Sequence, residues 1–378
     1  MANILLYGGG LQVLSIARSL KECNHKVHVA NDDNTLARCC RYVDCCKNVL
    51  CSDTQLLMSC VQSWSIDVII PMEDKWAETL SVNKQLLESK YSVKCAIADY
   101  DIYSLASDKS KLLKFCKEYN FPHPRTCTIN RDFNYAAKYV GFPALIKPNH
   151  SAGSRGIRLV NNIVELKTIA EQVEKEYGEC SLQEYIQNDY YYNVMLYRTK
   201  DGTWANHTIT KIIRYYPIKG GSSSFCYSIE NEKLLNTCKR ILEELKWVGF
   251  ADFDVLEKGE DDFRIIEINP RVPASLKAAY ISGVNFGDII VSDILGNKLP
   301  QYTYTPGKQL RCLGLDIAWF ISSPNRWKAK PCWFKFFGKN LHYQEGGIHD
   351  LRAMLTSLWL GVKKQLNPQF RKSKAGMN

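Results

Sequence analysis

The chain has 378 residues, 46% hydrophobic and 23% charged, a balance that excludes a mainly disordered protein and leaves room for two or three domains of ~100–200 residues. No apolar run reaches the ~18 residues of a membrane-spanning helix, and Met1–Gly10 leads straight into a strand-like stretch, so no secretory signal and a cytoplasmic location are expected. The net charge of +10 resides almost wholly from Ile321 onward, where eleven Lys or Arg face only Glu345 and Asp350; the near-neutral body excludes a broad nucleic-acid surface, and the fifteen cysteines of so long a chain read as thiols.

In chain order, apolar Ile4–Tyr7 runs into Gly8-Gly9-Gly10, then Leu11, Leu14, Ile16, Ala17 and Leu20 recur at helical spacing before His25–Ala30 returns to strand character. This is a βαβ unit. Ser65–Pro71 reads as a further buried parallel strand, with a helix from about Glu73 to Lys90; together they predict a small doubly wound α/β domain over about residues 1–106. The triple glycine lacks the full GxGxxG of a dinucleotide turn. Cys39, Cys40, Cys45, Cys46 and Cys51 contain no CxxC pair, so they are expected to be small buried side chains rather than a zinc knuckle.

A second unit starts near Ser107, where Asp108-Lys109 opens a helix that Asn120–Thr126 breaks with two prolines. Phe142–Lys147 reads as a strand, Pro148–Gly156 as a loop, and Ile157–Val160 as the returning strand. Ser151, Gly153, Ser154 and Gly156 around Arg155 offer many backbone N–H groups, which suits phosphate. Further strands end near Ile186 and cover Thr208–Tyr215, and Gly220–Ser224 reads as a flexible loop bordering an acceptor pocket. Gly249–Leu256 and Phe263–Asn269 form a strand pair presenting Asp254, Glu267 and Asn269. Residues two apart leave one strand face together, and two carboxylates with an amide oxygen suit Mg²⁺ shared with nucleotide phosphates.

The order Lys109, FPALIKPNHSAGSRGI, LQEYI, GFADFDVL and RIIEINPR resembles the ATP-grasp superfamily, as in carbamoyl-phosphate synthetase and biotin carboxylase. The resemblance implies a preATP-grasp domain (1–106), an ATP-grasp domain (107–300, its lid subdomain about 107–185) and a basic carboxy-terminal extension (301–378). It implies ATP with Mg²⁺ or Mn²⁺, phosphates held by Lys109 and Lys147 under a lid at Ser151–Gly156, and adenine held by Gln183, Glu184, Tyr185 and Ile186, the backbone of Glu184 and Ile186 reading its edge. It further implies metal ligation by Asp254, Glu267 and Asn269, with Arg271 and Lys211 facing the transferred phosphoryl group. Asp189 or Tyr190 stands where relatives place a ribose-binding Glu. The run after Arg271 lacks the acid that biotin carboxylases carry four residues on. The implied activity is ligation of a small-molecule carboxylate to an amine through an acylphosphate, with Arg214 expected to clamp a substrate carboxylate; a carboxylase using carboxyphosphate and a silent ATP-binding regulator are the alternatives.

In the tail, Leu351, Leu355, Leu358, Trp359 and Val362 form a helical stripe followed by Lys363, Lys364, Arg371, Lys372 and Lys374. The stripe either packs on its own domain or docks on an anionic membrane or an acidic partner, which would bring the protein to the inner membrane surface.

Overall fold

The structure, a computed structural model, describes residues 1–130, 132–149, 156–187, 190–218, 220–347 and 350–367. Among these residues three sheets form. The first is parallel and contains β1 (Asn3–Tyr7), β2 (Lys26–Asn31), β3 (Cys45–Asn48), β4 (Val68–Pro71) and β5 (Lys94–Cys95) in the order β3-β2-β1-β4-β5. Its central strand is apolar on both faces because helices cover both, the pattern expected of a doubly wound sheet. Gly8 closes β1 at φ +82, where an added Cβ would collide with the Trp76 indole, so the triple glycine serves a tight turn and close packing. The cysteine expectation needs correcting: Cys40 is buried, but Cys45 is exposed on edge strand β3 and Cys39, Cys46 and Cys51 are half-buried.

A four-stranded sheet holds β6 (Thr126–Thr128), β7 (Ala144–Pro148), β8 (Arg158–Val160) and β9 (Cys180–Glu184), ordered β6-β9-β7-β8. Its core joins Ala136, Val140, Ile146, Leu166, Val173 and Leu182. This unit is narrower than the 107–185 read from the sequence. Leu112, Phe115 and Cys116 of the helix Lys109–Glu118 pack instead into a core that runs from the first sheet into the largest one. A break in predicted structure is thus not a break in the core.

The largest sheet contains β10 (Tyr191–Arg198), β11 (Trp204–Tyr216), β12 (Ser222–Ile229), β13 (Gly249–Gly259), β14 (Asp262–Asn269), β15 (Gln309–Arg311) and β16 (Leu341–Tyr343), ordered β14-β13-β10-β11-β12-β15-β16. Two expectations change here. Ser222–Ser224 belong to β12 rather than to a loop, since they pair with β11 through Tyr216, Tyr215 and their neighbours. The described part of residues 301–378 is not a mere appendage, because β15 and β16 complete this sheet.

Candidate functional site

A cavity of about 530 Å³ lies between the small sheet and the largest sheet, and Leu11 of the first domain also reaches it. Its polar end is built by strand alternation. Asp252 and Asp254 leave one face of β13, Glu267 and Asn269 leave the same face of β14, and the register pairs Asp252 with Asn269 and Asp254 with Glu267. Asn193, opposite Asp254 on β10, donates to one Asp254 oxygen, and the Asn269 amide donates to the other at 3.3 Å. Asp252 was missed by sequence reasoning, although the D-x-D spacing in Gly249–Leu256 already places it beside Asp254.

Cations close this acidic array. Lys109 Nζ lies 3.0 Å from Glu267 Oε2, and Arg271 donates from Nη2 to Asn269 Oδ1 at 3.1 Å and from Nε to Asp74 Oδ1 at 2.8 Å. Asp74 opens the helix after β4, so the first domain helps hold Arg271; nothing in the local sequence signals that pairing. Burial pushes the Glu267 carboxyl up, but Lys109, Asp254 and Lys147 outweigh it and hold it at about 2. Asp254 goes the other way, raised by burial and by the charges of Glu267 and Asp252. Asp252 is likewise raised, first by burial, despite Arg271. Burial and the neighbouring Lys109 bring Lys147 down to about 8. Like charges crowded at low exposure make a site that an added cation or anion can relieve.

The donor set fits Mg²⁺. Among the described residues no three His, Cys, Asp or Glu stand together as a metal cage, yet hard oxygens of Asp254, Glu267 and Asn269 converge, and Mg²⁺ commonly takes one or two carboxylates and completes its shell with phosphate and water.

The apolar part of the cavity is lined by Leu145, Ile157, Ile186, Leu256 and Ile266, with Gln183, Glu184 and half-exposed Tyr185 alongside. Glu184 is fixed rather than exposed: its carboxylate meets Lys258 Nζ at 2.9 Å and Arg125 Nε at 3.3 Å. Burial raises this carboxyl, but Lys258 and Arg125 outweigh it and hold it at about 2. Its amide donates to Arg125 O at 2.8 Å, so an edge-reading role for that N–H conflicts with the bond it already makes. Across the cavity stand Tyr191, Tyr215, Gly221, Ser275, Leu315 and Gln344. The last two come from the carboxy-terminal segment, which sequence reasoning had left outside the site. Gly221 admits no side chain, since a Cβ there would strike the Tyr216 carbonyl.

Three expected residues fall elsewhere. Ile212 lines the cavity, so the preceding Lys211 leaves the opposite face of β11; its ammonium lies 4.1 Å from the centre of the Tyr190 ring and 3.9 Å from Glu257. Tyr190, the residue expected near the ribose, is exposed and likewise stands outside the cavity lining. Arg214 is 2% exposed and donates to both Asp316 oxygens, at 2.7 and 3.1 Å, and to Pro331 O at 3.2 Å. A guanidinium so engaged cannot clamp a substrate. Ser151, Gly153, Ser154, Arg155 and Asp189 lie outside the described residues, whereas Gly156 is described, at φ +73 with Pro148 and Tyr177 against its Cα.

An acidic strand pair, two lysines from different elements and an arginine around one interdomain cavity define the class: an α/β fold with a site suited to polyphosphate and a divalent cation. Residues 106–275 match the ATP-grasp domain family, and the parallel-sheet domain precedes the matched region. The chain is 24% identical over 254 residues to D-aspartate ligase of Enterococcus faecium, covering 61% of this chain and 59% of that protein. It is also 24% identical over 235 residues to the carbamoyl phosphate synthase large chain of Methanospirillum hungatei, covering 58% and 22%. The chain thus spans less than two thirds of either relative. Among solved structures, Campylobacter jejuni biotin carboxylase superposes with a TM-score of 0.68 at 20% identity, covering 82% of this chain and 74% of the other. Staphylococcus aureus N5-carboxyaminoimidazole synthetase gives 0.67 at 17% identity, covering 86% of each. These superpositions establish the fold.

Proposed function

We propose that the protein is an ATP-dependent ligase that joins a carboxylate to an amine. The observation that carries this reading is the convergence of Lys109, Lys147, Asp254, Glu267, Asn269 and Arg271 at one end of a cavity whose adjoining walls are apolar. The similarity to D-aspartate ligase supports it.

In this reading the adenine lies between Leu145, Ile157, Ile186 and Leu256, and Lys147 and Lys109 hold the phosphates as compact charges on flexible stems. Mg²⁺ held by Asp254, Glu267 and Asn269 would supply charge stabilisation to the phosphates. The substrate carboxylate oxygen attacks the γ-phosphorus, the bond to ADP breaks, and an acylphosphate forms. The amine then attacks the acyl carbon, phosphate leaves with the bonding electrons, and the amine nitrogen loses a proton. Arg271, positioned by Asp74, stabilises the charge that develops on the transferred phosphoryl oxygens. The walls at Tyr191, Tyr215, Ser275, Leu315 and Gln344 receive the acid and amine.

The test is ADP release from the full chain across a panel of carboxylate and amine pairs, with coupled product detection by mass. A pair that releases ADP and yields the amide supports the ligase. Bicarbonate-dependent ADP release without any amide would favour carboxylation instead, and retained ATP binding with no ADP release across the panel would favour a regulator.

A further inference from the structure

The helix Leu351–Leu366 is folded with five of its large apolar side chains outward, while Met354, Leu360 and Leu358, the last expected in the stripe, are half-buried. Leu351, Leu355, Trp359, Val362 and Leu366 are exposed, Trp359 at 65%, and recur at spacings of four, four, three and four, one helical stripe. The fully buried positions are small: Ala353 is 1% and Ser357 5% exposed, the Ser357 hydroxyl donating to Glu345 O. An ordinary surface helix buries its apolar stripe; this one leaves its stripe exposed. The helix Leu313–Ser322, packed against it, shares the inversion. Its fully buried residue is Asp316, while Ile317 and Ile321 are exposed. The following loop adds Trp327, Phe334 and Phe337, the last 89% exposed, with Phe320, Trp327 and Phe334 rings in mutual contact.

Charge identifies what would cover this surface. Lys328, Lys330, Lys335, Lys339, Lys363 and Lys364 of the same segments are exposed, and Lys363 and Lys364 also stand close enough to Asp33 of the first domain to hold its carboxyl down. The acids of 311–367 are all engaged: Asp316 and Glu345 are buried, and Asp350 caps the helix through Ala353 N and also accepts from Arg41 N. A second copy would set one lysine-rich face against another of the same sign. Protein interfaces are depleted in lysine, whereas interfacial membrane helices combine lysine with Trp, Leu and Phe.

We infer that residues 317–339 and 351–366 form a reversible docking surface for an anionic lipid bilayer, with the apolar side chains entering the headgroup boundary and the lysines meeting acidic headgroups. This goes beyond ligase chemistry and holds whether or not that reading does. The same helix that carries Ile317 and Ile321 also contributes Leu315 to the cavity, so docking would set the cavity close to the bilayer.

The experiment is cosedimentation of the full chain with phosphatidylcholine vesicles, with and without phosphatidylserine. Binding is expected to anionic vesicles and to fall with salt. Trp359→Asp combined with Phe337→Asp should weaken it roughly tenfold or more, as should Lys335→Glu with Lys339→Glu. Both pairs are exposed, so thermal melting and ATP affinity should stay at the wild-type values. Hydrogen exchange of the unaltered chain gives a variant-free readout, with slower exchange across 351–366 on anionic vesicles alone. No vesicle binding at low salt overturns the inference. So does a concentration-dependent dimer that the apolar substitutions dissolve, which would assign the face to a second copy.

Discussion

Two buried charge clusters occupy the largest sheet and its carboxy-terminal packing. Asp316 is shared by Arg214 and Arg311, the second at 2.6 Å, with all three side chains at most 2% exposed. Each guanidinium also rests on aromatic faces, Arg214 4.1 Å from the centre of Phe225 and Arg311 4.4 Å from that of Phe336. Asp252, Asp254, Glu267 and Arg271 form the other cluster, and it opens into the cavity. The first is closed on itself and holds the β11–β12–β15 corner together. The second leaves carboxylates displaced from their ordinary ionisation and so depends on what enters. Burial alone does not mark a site; the access of a charge cluster to a cavity does.

Removing the centre of the closed cluster should have the largest effect. Asp316→Ala leaves two buried guanidiniums without their carboxylate and should cost ~3–5 kcal/mol of stability by urea unfolding. A loss below about 1 kcal/mol would show that this cluster is not what holds the corner. Next come Glu267→Gln and Arg271→Ala, each expected to lower turnover by roughly 10²–10³-fold while the protein stays folded, since both act on charge developing in phosphoryl transfer. Near-wild-type ADP release by either variant with its true substrates would remove the distinction between the clusters. Lys147→Ala should weaken ATP binding by ~1.5–3 kcal/mol, about tenfold to over a hundredfold by calorimetric titration; unchanged affinity would take Lys147 out of the phosphate site.

The smallest effect concerns Glu184, on the rim of the open cavity. Its folded carboxyl titrates at about 2 rather than 4.5, so ionised Glu184 adds stability above pH 4.5, and that contribution fades as pH falls toward about 2. Its partners are half-exposed, Arg125 at 55% and Lys258 at 46%, so solvent screening limits the contribution to about 1 kcal/mol. Glu184→Gln should flatten the acid limb of the stability curve in that window. An acid limb identical to wild type would show that the pair adds nothing.

Much of the open cluster is legible in the chain because strand alternation is local. Glu267 and Asn269 can be assigned to one face from their spacing, and the match of Lys109, Lys147, Asp254 and Arg271 to the family motifs brings them to the same place. Asp252 was equally legible and was overlooked. Asp74 was not: it lies almost two hundred residues before Arg271, and a single acid at a helix start has no signature for so distant a partner. Leu315, on the helix Leu313–Ser322, and Gln344, just after β16, were hidden for the same reason: their cavity partners lie far away in the chain, and nothing local marks the contact.

The sequence by itself determined the parallel first domain, the strand pair with its carboxylates, and the separation of a basic end from a near-neutral body. These follow from periodicity, composition and spacing, which are properties of neighbouring residues. Only the tertiary structure decided that Lys211 faces away from the cavity, that Arg214 meets Asp316, and that the stripe of 351–366 faces solvent. A period states which side chains share a face but not what that face packs against, because a helix or strand rotated about its axis keeps its pattern. The choice is made by long-range packing: Asp316 is buried where two arginines await it, and small Ala353 and Ser357 let the last helix lie close against Glu345.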